Sequence, residues 1–244
     1  MIFDYAVAHR AIYYNPAIGV KLPKGLVRGK RDAPDDMIMD TVLSNIGQPF
    51  GFFPFLLLCT GLRKSEALAL QWSDIDLSAK VIRVTKSIDY FVGSKPKYKT
   101  PKTEMGRREV PIIDILFTEL KKRYDTRCSD YLFPAADSNR AGKGGGLMTE
   151  RGYEGEWRRY CLALGLIDSD GNMVITAHHM RHGTATLLFE YGVDVLTAQR
   201  ILGHSKPETT QAIYTALREK QAKKSISKMN VGMSRRMSKV SKEA

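Results

Sequence analysis

Cysteine, tryptophan and long apolar runs are all scarce in this sequence. Its 244 residues include three cysteines, Cys59, Cys128 and Cys161, widely spaced and without a CxxC pair. That argues against a disulfide framework and against a cysteine-built zinc site, and leads us to expect a reduced, cytosolic protein. The longest apolar run, Phe52 to Cys59, contains Pro54 and is far shorter than the ~20 residues of a membrane span. The N-terminus, MIFDYAVAHR, has Asp4 early and lacks the basic region of a signal peptide. No GxxxxGK(S/T) loop is present for ATP, and no carboxylate cluster for Mg²⁺ is evident. At ~150 residues per domain the length suits one to two domains, enough for a core that needs no disulfide staples.

Acidic residues are the minority charge. Lysine and arginine total 38 against 26 acids, a net charge of +12, which favours partners made of phosphate. Seven of those twelve excess charges lie between Arg218 and Ala244, where nine basic residues face two acidic ones. A second cluster holds Lys95, Lys97, Lys99, Lys102, Arg107 and Arg108 against Glu104.

Apolar spacing predicts a helix over residues 1–14, stopped by Asn15-Pro16. Residues 17–34 are rich in Gly, Pro, Lys and Arg and read as a linker. Asp35-Asp36 opens a helix carrying Ile38, Val42, Leu43 and Ile46. Phe50–Cys59, apolar all round, reads as a buried helix. A short helix over Lys64–Leu70 precedes a strand over Val81–Ile88, a basic segment, and a second strand over Arg108–Ile112 with Pro111 at its edge. Helices are expected over Asp114–Arg123, Thr149–Leu164, Thr176–Glu190 with Thr176 as N-cap, and Val195–Leu202. A last one has Pro207 just inside its start and carries Tyr214. Between them lie an extended piece at Tyr131–Pro134 and a Gly/Lys loop at 139–146. The fold class is mainly α with a small antiparallel β-sheet.

Four short segments place polar residues among apolar, structured surroundings. Arg63 follows the most apolar stretch. A buried guanidinium cannot shed its charge, so it needs an ion pair, for which Glu66 is available, or an anion to clamp. His178 and His182 are four apart, but the intervening residues do not make HExxH and no carboxylate supplies a third ligand, which argues against zinc. His178 and Arg181, three apart, share a helix face instead. Together they suit a phosphate. His204 follows a helix end, and Tyr214 lies one helix further on. Taken singly, each residue has an ordinary structural reading. Two arginines, two histidines, a lysine in a basic loop and a tyrosine are together what metal-free phosphoryl transfer to a protein nucleophile requires.

The sequence then resembles, from about residue 35 to 216, the catalytic domain of tyrosine recombinases in their phage and conjugative-transposon integrase branch. TGLRKSEALALQWSDIDL resembles the family's first arginine box, with Arg63 the arginine and Glu66 its supporting acid. KTEMGRREVPI resembles the lysine hairpin and its strand, which places Lys102 as general acid. Lys97 and Lys99 stand nearby as competing matches. AHHMRHGTATLLFEYG resembles the His-x-x-Arg box with His178, Arg181 and the neighbouring His182; His179-Met180 replaces the commoner Asp-Leu. LGHSKPETTQAIYTAL resembles the last box, with His204 and the nucleophile Tyr214. YAVAHRAIYYNPAIGVKLPKG resembles the last helix of a core DNA-binding domain plus its linker, with what precedes it absent.

The resemblance implies the tyrosine-recombinase fold and site-specific recombination, integrating or excising a mobile element, through a 3′-phosphotyrosyl intermediate. It implies three segments: 1–34 as a remnant helix and linker, 35–217 as the catalytic domain, and 218–244 as a basic tail that packs on a neighbouring subunit or extends into solvent. No metal or other cofactor is expected. The implied partners are double-stranded DNA at attachment sites, contacted by Lys95, Lys97, Lys99, Arg107 and Arg108, three further copies in a homo-tetramer, and accessory DNA-bending or directionality proteins. The implied location is the bacterial cytoplasm, at the nucleoid, with no membrane partner. Alternatives of other classes are a DNA-binding integrase remnant without catalysis, a type IB topoisomerase-like strand cleavage, and a basic structural protein.

Overall fold

The computed structural model describes residues 2–20, 33–90, 95–101, 106–135 and 145–243, and the chain divides into two units, 1–31 and 32–244. In the first, α1 (Ile2–Ala8) buries none of its residues and gives way to turns at Arg10, whose φ is 57°. The helix expected to reach residue 14 therefore stops earlier. Most of the expected linker lies outside the described residues.

The second unit is built around α3 (Phe52–Thr60), whose residues are buried on every side except Cys59. Nine residues of almost wholly apolar sequence make this a helix that must be enclosed. Before it runs α2 (Asp36–Ser44), capped by the Asp35 carboxylate accepting from the Ile38 N–H at 2.8 Å. After it come α4 (Lys64–Ala67) and a 3₁₀ turn (Trp72–Asp74). An aromatic cluster closes one end of α3. Phe53 meets Phe133, Tyr153 and Trp157 edge-on, at centroid distances of 5.0, 5.6 and 5.9 Å. The last two rings belong to α6 (Glu150–Ala163), capped by Thr149.

The strand expected over Val81–Ile88 is two strands in two sheets. β2 (Val81–Val84) lies between β1 (Ile75–Asp76) and the edge strand β5 (Arg108–Pro111), all antiparallel, with Ile82 opposite Val110 and Val84 opposite Arg108. β3 (Ser87–Asp89) pairs instead with β4 (Lys97–Lys99), Ile88 facing Tyr98. The break falls at Lys86, whose ammonium turns back to Asp74 and Gln71 and lies 5.4 Å from the Tyr98 ring centre. Pro111 sits on the edge strand, where a missing N–H costs little.

The remaining helices are α5 (Asp114–Asp125), α7 (Ala177–Glu190, N-cap Thr176), α8 (Val195–Leu202, N-cap Asp194) and α9 (Pro207–Glu243). The basic tail from residue 218 to 243 thus continues the helix that carries Tyr214, with Ile226, Met229 and Val231 exposed. Among the described residues, no helix is long and apolar enough to cross a membrane.

α3 and α7 pack at close range. The Thr184 hydroxyl on α7 lies 3.0 and 2.9 Å from the carbonyl oxygens of Leu57 and Leu58, and a Cβ on Gly183 would meet Leu58 Cδ1 at 2.9 Å and Pro34 Cγ at 3.1 Å. Gly183→Ala therefore overpacks this contact. We expect it to lower the unfolding free energy by about 1–3 kcal/mol, read from the urea midpoint at constant m-value.

Candidate active site

Gly61 ends α3 in the left-handed conformation, φ 65°, and a Cβ there would lie 2.5 Å from Leu202 Cδ2. Only glycine suits both the conformation and the space. The turn delivers Arg63 in an extended conformation as the N-cap residue of α4. Its backbone N–H donates to Glu66 Oε2 at 2.8 Å, its Nη1 to Glu66 Oε1 at 2.8 Å, and its Nη2 to the Gly203 carbonyl at 2.8 Å. The Arg63 side chain remains 44% exposed while that of Glu66 is 7% exposed.

Arg181 lies one turn after His178 on α7, which sets both on one face. Arg181 is buried. Its Nη1 donates to the Gly61 carbonyl at 2.6 Å, and its Nη2 is buried with no hydrogen-bond partner among the described residues. Burial, reinforced by the positive charge of Arg63, lowers its pKa to about 9. His178 Nε2 stands 3.1 Å from His182 Nε2, so one ring must donate to the other.

His204 follows Gly203, the left-handed C-cap of α8 at φ 65°. Its Nδ1 is 2.8 Å from the Thr210 hydroxyl in the first turns of α9. Burial first, then the charges of Arg181 and Arg63, drive its pKa down to about 3. The ring is therefore neutral at ordinary pH.

These side chains meet at one cleft of about 440 Å³, lined by Arg63, His178, Arg181 and His204 together with Ser65, Ser205 and Thr209. A second cleft shares Arg63, Ser65 and Ser205 and adds Lys86, Ser87, Lys99 and Gly106. Among the described residues, no group of three or more His, Cys, Asp or Glu is arranged to hold a metal ion.

Tyr214 lines neither cleft. It is buried, its hydroxyl donates to the Val193 carbonyl at 3.1 Å, and its ring meets Phe189 edge-on at 5.2 Å. Burial, with a smaller contribution from Asp194, raises its pKa above the usual phenol value. In this arrangement the phenol is a protonated donor held by a carbonyl.

The basic segment divides. Lys95, Lys97, Lys99 and Arg107 are exposed, with Lys99 also 2.6 Å from Asp89. Lys102 lies outside the described residues. Arg108, expected on DNA, is turned inward. Its side chain is 6% exposed, Nη1 and Nη2 donate to Glu66 at 3.1 and 2.9 Å, and Nε donates to the Ile201 carbonyl at 2.8 Å. The period-2 alternation of a strand puts Arg108 on the inner face with Val110 and Ile112, and Arg107 on the outer one. That alternation was available in the sequence but was hidden by the run of positive charge. Thr210 was missed too, since nothing in its local pattern separates it from Thr209.

Two titrations follow from this burial. Glu66, held by Arg108 and Arg63 against the cost of its burial, has its pKa lowered to about 2. Its contribution to stability is present above its unfolded value of 4.5 and is lost as pH falls through the lowered one. For His204 the folded value lies below the unfolded 6.5. The unfolded chain then binds the extra proton, and stability falls as pH drops from that value towards the folded one. The fall in urea midpoint between about pH 7 and 5 should be shallower in His204→Asn than in the wild type.

A sequence model of the phage integrase family matches residues 52–221. A XerC-like tyrosine recombinase of Caldanaerobacter subterraneus subsp. tengcongensis is 30% identical, over 93% of this chain and 62% of its own length. The ICEBs1 integrase of Bacillus subtilis is also 30% identical, over 94% of this chain and 62% of its own length. This chain thus spans less than two thirds of either relative. The Tn1549 transposon integrase, solved in complex with a circular intermediate DNA, superposes with a TM-score of 0.67 at 24% identity over 87% of this chain and 70% of that one. XerA recombinase does so with a TM-score of 0.55 at 24% identity, over 85% and 70%. Those two share the fold, and the family match covers most of the sequence that builds the cleft. The chain belongs to the phage integrase family of tyrosine recombinases.

Proposed function

We propose that this chain carries out the strand-cleavage and rejoining steps of site-specific DNA recombination. The observation that carries the reading is the convergence of Arg63, Arg181, His178 and His204 on one cleft, with a buried Arg181 nitrogen unpartnered among the described residues. A phosphate oxygen satisfies that nitrogen once the guanidinium turns it into the cleft. Among the described residues, three guanidiniums against the one Glu66 carboxylate leave excess positive charge where a phosphorane gains negative charge.

Tyr214 Oη attacks the scissile phosphorus. The Tyr214 Oη–P bond forms, the P–O5′ bond breaks, and the 3′-phosphotyrosyl link conserves the diester energy. Arg63 and Arg181 hold the non-bridging oxygens. With Thr210 donating to Nδ1, neutral His204 presents Nε2–H as a further donor. His178 accepts the phenolic proton, with His182 as its hydrogen-bonded neighbour, and Lys102 protonates the departing O5′. A 5′-hydroxyl from a second strand then reverses the step. Tyr214 must first leave Val193, so α9 shifts before attack. The partners are double-stranded DNA and, for exchange between two duplexes, further copies of the chain, with accessory DNA-bending or directionality proteins. The setting is the bacterial cytoplasm at the nucleoid.

A nicked duplex carrying the junction sequence of the resident mobile element lets the cleaved fragment diffuse away and traps the intermediate. We expect a protein–DNA adduct on a denaturing gel that is absent in Tyr214→Phe. An adduct that persists in Tyr214→Phe overturns the assignment of the nucleophile, and no adduct, even with an upstream DNA-binding domain joined to the chain, overturns the enzyme reading.

Lys95→Ala, Lys97→Ala and Arg107→Ala should each reduce the slope of log K against log salt by about 1, measured on non-specific duplex, if each neutralises one phosphate.

A further inference from the structure

The Glu66 carboxylate is saturated. Oε1 accepts from Arg63 Nη1 and Arg108 Nη1, and Oε2 accepts from the Arg63 backbone N–H and Arg108 Nη2. A carboxylate offers about four lone-pair sites, and two arginines fill them. The same arginines also reach the end of α8, Arg108 Nε to the Ile201 carbonyl and Arg63 Nη2 to the Gly203 carbonyl, both at 2.8 Å. A Cβ on Gly203 would lie 2.7–2.9 Å from Arg108 Nη1, Cζ and Nε, so the guanidinium packs against the residue just before His204.

We propose that Arg108 is a positioning residue of the cleavage site, acting through Glu66 on Arg63 and through the α8 end on His204, without touching DNA. The inference rests on the reading of Arg63 and His204 as phosphate ligands. Without Arg108, Glu66 is a buried carboxylate with half its donors, and its charge draws the Arg63 guanidinium away from the cleft. At the same time the last turn of α8 loses a donor to its carbonyls. Lysine cannot substitute, because one ammonium does not reproduce a planar fork that bonds two carboxylate oxygens and a carbonyl together.

The test uses Arg108→Lys, which keeps the charge, in the full chain. Single-turnover cleavage of the nicked duplex should slow about 10²-fold, the cost of misplacing a catalytic group by about 1 Å. Affinity for DNA and its salt slope should stay within about twofold of wild type. On a duplex whose scissile phosphate is a neutral methylphosphonate the deficit should narrow to less than about tenfold, because the charge Arg63 opposes is gone. Exchange of the Arg63 side-chain N–H protons with solvent, followed by NMR, should quicken about tenfold or more as its fixed partner loosens.

Cleavage within about threefold of wild type overturns the proposal. So does weakened affinity in a charge-removing Arg108→Met variant with the salt slope lower by about 1, which marks a phosphate contact. A lowered urea midpoint with unchanged Arg63 exchange reduces Arg108 to a stabilising residue and also overturns it. If the wild type forms no adduct, the recombination reading fails, while Arg63 exchange still decides the role of Arg108.

Discussion

Arginine guanidiniums from three parts of the chain share one partly buried site. One follows α3, one starts β5 and one lies on α7, and Glu66 is the carboxylate placed between two of them. Removing such charges from water is costly, and removing one member of a buried pair costs about 3–5 kcal/mol. The fold meets this constraint unevenly. Glu66 compensates Arg63 and Arg108, backbone carbonyls at Gly61, Ile201 and Gly203 take further donors, and one nitrogen of Arg181 is left without a partner among the described residues. Burial first, then the neighbouring positive charges, lowers the Arg181 and His204 pKa values. The incomplete compensation also gives an incoming phosphate something to neutralise.

Each of those carbonyls is presented by a helix end. Gly61 and Gly203 take left-handed conformations that turn the last carbonyls of α3 and α8 toward the arginines. The helix C-terminus carries partial negative charge, so two helix ends assist Glu66 at no cost in buried carboxylate. The packing of α3 against α7, through Thr184 and Gly183, holds the Gly61 carbonyl where Arg181 reaches it. The core and the site are therefore one construction, and among the described residues the Tyr214 hydroxyl, held on Val193, is a candidate catalytic group set apart from the cleft.

Most of the elements were legible because each had a local cause. Thr176 caps α7 where its hydroxyl oxygen accepts from the His179 N–H, Pro207 opens α9, and the apolar run of α3 is buried as its composition requires. The local signals failed where a distant partner decided the outcome. Val81–Ile88 alternates like one strand, yet Lys86 turns back to Asp74 and Gln71 and β3 takes another partner. Arg108 sits in a basic run and reads as surface charge, yet strand alternation and Glu66 draw it inward.

By itself the sequence determined the helical class and the family and nominated the candidate catalytic residues, because residue types at fixed short spacing carry that information. The tertiary structure decided which charges face the cleft, which are buried to hold others, and that Tyr214 rests outside it. Those outcomes depend on contacts between residues as far apart as Arg63 and Gly203, or Arg108 and Ile201. Their energies come from desolvation and from partners that only the folded chain brings together.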